Sequence, residues 1–210
     1  MTPVIKEHLD KALSLYTSGD YYKILIEAKE EYFNKTGIAF EDDHDFESKM
    51  SSFNDWFLLQ FISKRFERPF IREYLETFQV SDDIALCLLN INHSLFEYTG
   101  KNFSGKHMLK DILHDKKVEL AKDHETPPML KGDLAICRVV GYKADNYLLE
   151  GMTFIPKEVR PTLKKQSKIV RKKDDPQQEY EFLIELEKLK TKWQRYGHID
   201  PSKIFSFSAS

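Results

Sequence analysis

An α+β fold is predicted by three observations on this chain. Apolar residues recur every three or four positions up to about residue 90, the period drops to two from 92 to 156, and helical spacing returns from 157 onward. The expected architecture is a helical N-terminal half (1–91), then a five-stranded, mainly antiparallel curled sheet or small barrel (92–156). C-terminal helices (157–210) are expected to pack on both. Hydrophobic residues make up 41% of the 210, and 15 Phe and 10 Tyr stand against 8 Gly and 8 Pro, so the chain is too apolar for disorder and long enough to bury its own core.

Within 20 to 35, Tyr21, Leu25, Ala28 and Tyr32 share one helical stripe, with Asp20 placed as N-cap and Gly37 as the C-terminal stop. The clearest helix covers roughly 43 to 63, where Phe46, Met50, Phe53, Phe57 and Phe61 recur on one face beside Trp56 and Leu59. Arg68 and Pro69 break this pattern. Shorter helices follow at 70–78 and 81–91, the second capped by Ser81 with Asp82 and Asp83 in its first turn.

Strands are expected at 94–99, 107–113, 117–122, 133–141 and 146–155, separated by segments rich in Gly, Asn, Asp and Pro. Leu134, Ile136 and Val140 alternate with Ala135, Cys137 and Val139. Helices at 156–171 and 176–196 complete the chain, the second opening on Asp175 as cap and Pro176 at its first position. Phe182, Leu186, Leu189, Trp193 and Tyr196 form a seam barely two heptads long, too short to stand alone. The serine-rich end, Ser206 to Ser210, reads as frayed.

No run approaches the roughly 18 apolar residues of a membrane span, and the amphipathic start MTPVIKEHLDKALSLY has no signal-peptide core. A cytoplasmic protein without a membrane partner is the expectation. Cys87 and Cys137 each sit in an apolar run and read as small buried hydrophobes. Net charge is −2 but uneven: residues 1–90 hold 10 Lys/Arg against 17 Asp/Glu, leaving 22 against 17 for 91–210, so an anionic partner belongs to the second half.

Glu41, Asp42, Asp43, His44 and Asp45 have the chemistry for a divalent cation, yet their place before a long helix is what capping and the helix dipole select. The seven histidines show no HExxH or zinc spacing, so no metal is assigned. His107 and His114, with Asp111 and Asp115, offer acid/base groups, but the wet face of a sheet explains them better. There is no GxSxG elbow and no phosphate-cradling glycine loop, so neither catalytic residues nor a cofactor is assigned. The strongest electrostatic feature is the run Lys157, Arg160, Lys164, Lys165, Lys168, Arg171, Lys172 and Lys173, interrupted by Glu158 alone. On one face, these cations would neutralise phosphates; read blandly, they are a solvated helix surface.

The segments HSLFEYTG (93–100), LKDIL (109–113), LKGDLAICRVV (130–140) and HIDPSKIF (198–205), with DDHDFESKMSSFNDWF (42–57), resemble an uncharacterised family of bacterial proteins. That resemblance implies a bacterial origin and a helical domain followed by a small β-module, with no established activity. Some relatives add a cysteine-rich zinc-binding tail, which this sequence does not show.

Two functional expectations result. The first is a non-catalytic binding or adaptor protein, with an unknown protein partner or a second copy docking on Phe182, Leu186, Leu189 and Trp193. Its competitor is intramolecular packing of that seam. The second is a nucleic-acid-associated protein using the β-module and the basic segment 157–173. An enzyme built on Asp111, His107 and His114 is the weakest reading.

Overall fold

The structure is a computed structural model, and it describes residues 2–207. Among these, helices α1 (Pro3–Tyr16), α2 (Tyr22–Thr36), α3 (Phe46–Leu59), α4 (Phe70–Thr77) and α5 (Asp82–Leu89) form the helical half. Strands β1 (Ile91–Lys101), β2 (His107–Asp111), β3 (Lys116–Glu119), β4 (Leu134–Tyr142) and β5 (Asp145–Ile155) follow, then α6 (Arg160–Lys172), α7 (Pro176–Arg195) and α8 (Pro201–Ile204).

Helical periodicity fixes which faces are buried. Ile5, Leu9, Ala12 and Tyr16 of α1 and Leu25, Ala28 and Tyr32 of α2 point inward. Gly37 ends α2 as expected: its φ is +89°, its N–H bonds Phe33 O, and a Cβ there would sit 2.6 Å from Thr191 Cγ2. Asp20 does not cap α2, because it lies inside a 3-10 turn (Gly19–Tyr21) that delays the helix to Tyr22. The helix expected over 43–63 is shorter, ending at Leu59, yet Phe61 stays in the core: Phe53, Phe57 and Phe61 stack in sequence at 5.8 and 5.9 Å between ring centroids.

The acidic cluster corrects the capping expectation. Asp45 occupies the N-cap position of α3 without making a cap bond; its carboxylate binds the buried ammonium of Lys190 on α7 instead. A buried cation holds the carboxylate more strongly than an amide that water already solvates.

The sheet runs β3-β2-β1-β4-β5, antiparallel throughout, and it is not closed into a barrel. β1 is shared: 91–97 pair with β4 and 96–101 with β2, across a bulge between Tyr98 and Gly100. The edges β3 and β5 touch through one parallel bridge, Leu120↔Asn146, because four-residue β3 is too short to extend the ladder. The expected alternation holds. Leu134 and Ile136 pack with Leu95 under the C-terminal helices, while Ala135, Cys137 and Val139 face Phe96, Tyr98, Leu109 and Met152. Val140, further along the first face, joins the core of the helical half. Arg138 lies on that face between Ile136 and Val140, 1% exposed, where the two cores meet, and donates from Nε and Nη2 to Gln60 Oε1 at 3.0 and 2.5 Å.

Asp175 caps α7 through Gln177 N at 2.9 Å, with Pro176 in the first turn. The α7 seam is core. Phe182 and Leu186 are buried among Leu95, Leu134, Ile155, Leu163 and Phe205, with Leu189 and Trp193 half-buried against the same cluster. Docking a partner on Phe182, Leu186, Leu189 and Trp193 would mean unpacking this core, so the seam is not a free surface. Phe207 packs on Phe182 at 5.8 Å, so the frayed end does not include it; 208–210 lie outside the described residues.

Candidate functional site

α6 buries Leu163, Ser167 and Val170, so the basic residues fan out from that face around the helix. The structure divides the eight cations of the basic segment into two sets. Lys157 pairs with Asp133 at 2.6 Å, Arg160 and Lys164 both grip Glu97 (Lys164 at 3.0 Å), and Arg171 donates to Leu113 O at 3.2 Å. These four latch the helix to the sheet. Lys165, Lys168, Lys172 and Lys173 are exposed and form no ion pair among the described residues. At about 3.6 residues per turn, Lys164, Lys168 and Lys172 fall on one row, with Lys165 beside it.

The surface continues onto the sheet. Glu97 lies opposite Lys110, and Lys110 opposite Lys117, so all three share one face of β1-β2-β3. Glu97 is 6% exposed and already bound twice, while Lys110 pairs with the exposed Asp115. Lys116 and Lys117 are exposed on the edge strand with no ion pair among the described residues. From 91 to 173 the chain carries 17 Lys/Arg against 10 Asp/Glu. Sequence reading found α6 but missed Glu97, Lys110 and Lys117, because only strand register brings them beside the helix.

A cleft of about 760 Å³ lies between α3, β5, the 124–127 loop and α7. In it the buried ammonium of Lys190 is held by Asp45, the exposed Lys6 pairs with Glu150 at its rim, and Ser48 Oγ donates to Met152 O. His124 Nε2 accepts the Leu148 N–H at 3.3 Å; burial holds its imidazole down to about 4, in keeping with a neutral acceptor.

His107, Asp111, His114 and Asp115, read from sequence as polar residues on the wet face of a sheet, do not gather into one acid/base group, and the wet-face reading is corrected for Asp111, which is 0% exposed. His114 is held between carboxylates, Nδ1 2.9 Å from Asp111 Oδ2 and Nε2 3.2 Å from Glu179 Oε2 on α7, which raises its pKa. Asp111 is fully buried; bonds from His114, Ser94 and Asn92 outweigh its desolvation and hold its carboxyl below the usual range. His107 points to Tyr98 Oη at 2.9 Å, and Asp115 is taken by Lys110. The Asp111–His114–Glu179 chain joins the β2-β3 turn to α7 as a structural tie. A further buried set crosses the core: Tyr32 Oη donates to Glu187 at 2.6 Å, and Lys49, its pKa drawn down to about 8 by burial, donates to Thr36 O and Thr191 Oγ1, both at 2.9 Å. Both thiols are buried, which pushes their pKa values up.

None of the described helices is long and apolar enough to cross a membrane, and no group of three His, Cys, Asp or Glu among the described residues is placed to hold a metal ion. No family model, curated protein or solved structure matches this chain.

Proposed function

We propose that this is a cytoplasmic nucleic-acid-associated protein, without catalytic activity, that binds phosphates on the face formed by α6 and β1-β2-β3. The observation that carries the reading is the division of labour on α6: the cations nearest the sheet are spent on Glu97 and Asp133, while Lys165, Lys168, Lys172 and Lys173 face solvent uncompensated. Such a surface favours a polyanion through counterion release, with little sequence preference. Small curled sheets often serve oligonucleotides, which is an analogy of fold only. Edge lysines that deter strand pairing account for Lys116 and Lys117, and the competing account of the α6 row is an ordinary solvated helix surface, from which the salt series below distinguishes it.

The adaptor reading loses its most specific form, since its seam is core. The bacterial-family resemblance is part of the same proposal and adds no activity to it. The test is an electrophoretic shift or anisotropy titration with oligonucleotides across a salt series. Binding should weaken steeply with salt, and replacing Lys165, Lys168 and Lys172 by Gln should flatten the log–log slope by about 0.9 per lost contact on a duplex. Absence of binding by the unaltered protein at low salt, or an unchanged slope in the triple variant, rejects the proposal.

A further inference from the structure

We propose that Phe103, at the tip of the β1-β2 hairpin, is a base-stacking contact for a single-stranded nucleic acid whose phosphates follow the α6 face; the inference rests on the reading above and supplies its aromatic element. Phe103 is 114% exposed relative to its reference state, the most exposed of the large hydrophobic side chains among the described residues. The hairpin holds it there. Asn102 Oδ1 accepts from Ser104 N at 3.0 Å, Ser104 Oγ at 2.7 Å and Lys106 N at 3.0 Å, and its Nδ2 donates to Glu119 at 2.6 Å. Main-chain bonds Asn102 N→Lys106 O and Gly105 N→Asn102 O, at 2.9 and 3.0 Å, close the same loop. An aromatic ring is thus presented to water on a preorganised backbone, so little ordering is required when a ligand arrives.

Its surroundings favour a base over other occupants. The neighbours Asn102, Ser104 and Gly105 offer no apolar rim of the kind that surrounds a protein hot spot, and one ring gives little area for insertion into lipid. What remains is a π-face, which every nucleobase matches. Cations trace a path from it to α6. Lys101 is exposed at the base of the hairpin, and Lys131 is exposed on the loop whose Gly132 and Asp133 bond the backbone of Tyr98; neither forms an ion pair among the described residues. Lys157, Arg160 and Lys164, already paired with Asp133 and Glu97, mark where the path meets α6, whose unpaired cations are Lys165, Lys168, Lys172 and Lys173. Glu97 and Lys101 both lie in β1, four residues or about 13 Å apart, and Phe103 follows two residues on in the hairpin turn, so a strand a few nucleotides long reaches both Glu97 and Phe103.

The experiment compares the full chain with Phe103→Ala and Phe103→Trp on single-stranded DNA and RNA oligonucleotides and on an abasic oligonucleotide of equal length. Expected is a roughly ten- to hundred-fold weaker affinity of Phe103→Ala for the base-bearing strands, an unchanged salt slope, retention or gain in Phe103→Trp, and no difference on the abasic strand. Because the side chain is fully exposed, thermal unfolding should be unaltered. Equal affinity of Phe103→Ala and the unaltered chain overturns the inference while the salt dependence on α6 leaves the phosphate reading standing. Loss of anionic-vesicle binding in Phe103→Ala with oligonucleotide binding intact assigns the ring to lipid and also overturns it. If the unaltered chain binds no oligonucleotide at low salt, both ideas fall together.

Discussion

The carboxylate of Asp55 on α3 accepts the backbone N–H of Gly151 on β5 at 2.9 Å. Helix α3 thereby covers one edge of the sheet, taking up a strand N–H that would otherwise invite another chain, and Ser48 does the same for Met152 O. This approach requires glycine. A Cβ at 151 would lie 2.6 Å from Asp55 Oδ2, 2.7 Å from Ser52 Cα and 3.0 Å from Ser51 O, two of them backbone atoms that cannot rotate away. Gly151→Ala is therefore expected to destabilise the fold by about 1 to 3 kcal/mol through displacement of α3. Urea unfolding checks it; a midpoint equal to that of the unaltered chain would mean the helix does not seat on this strand.

Asp55 itself carries a pH signature. It is partly buried beside a small cavity of about 40 Å³, and burial pushes its carboxyl up to about 6 against the pull of Arg138 and the Gly151 N–H. A folded value above the unfolded one means its contribution is complete below about pH 4 and is lost as pH rises through about 6. Asparagine keeps an acceptor for Gly151 and removes the charge. Asp55→Asn should gain on the unaltered chain between about pH 4 and about pH 7.5, by up to about 3 kcal/mol. Denaturation at the two pH values measures this, and a stability difference that does not change with pH speaks against it.

How much of this was legible in the sequence depends on the range of the interaction. The aromatic stripe of α3, the alternation of β4 and the Asp175–Pro176 start of α7 are local patterns, and each corresponds to observed structure. Asp45 misled because its partner, Lys190, lies 145 residues away. The α7 seam was legible as amphipathic, but which surface it would meet depends on Leu95, Leu134 and Ile155, contributed by three strands. The α6 cations were plain in composition; which of them are neutralised was set by Glu97 and Asp133, which only the sheet brings near. Charge content is written locally, whereas charge compensation is a property of the tertiary structure.

His114 ties the β2-β3 turn to α7, and its pKa is raised chiefly by the hydrogen bond to Asp111, with Glu179 adding to it. Its contribution to stability is full below about pH 6.5 and fades as pH rises through the higher folded value. The depressed Asp111 works in the opposite sense, losing its contribution as pH falls through its lowered value. His114→Gln should therefore cost most near pH 5 to 6, about 1 to 2 kcal/mol, and progressively less as pH rises through the raised value. Stability curves for the two proteins across this range decide the point; a gap that widens with rising pH contradicts it.

Leu186 is fully buried where α7 meets the sheet. Leu186→Ala should lose about 2 to 5 kcal/mol, and a chain ended at Pro176 should fail to fold as a soluble monomer, since Phe182, Leu183 and Leu186 leave with it. Light scattering and near-ultraviolet circular dichroism on the shortened chain check both. A well-folded truncated monomer would return α7 to the list of free docking surfaces.

Glu97 separates the structural from the electrostatic role of α6. Its carboxylate, nearly buried, is shared by Arg160 and Lys164, whose side chains are 43% and 44% exposed. Glu97→Gln removes the anion that both cations hold, so the helix is less firmly latched, by about 1 kcal/mol because water screens exposed partners. The same change releases two cations toward solvent and raises the net charge of the face by one. Stability should therefore fall while affinity for a phosphate polymer rises, most visibly at low salt where screening is weakest. A variant that is destabilised and also binds oligonucleotides more weakly would show that the α6 cations must be held by Glu97 in order to work, which reverses the sign argued here. Thermal unfolding and a salt-series titration on one preparation distinguish the two outcomes.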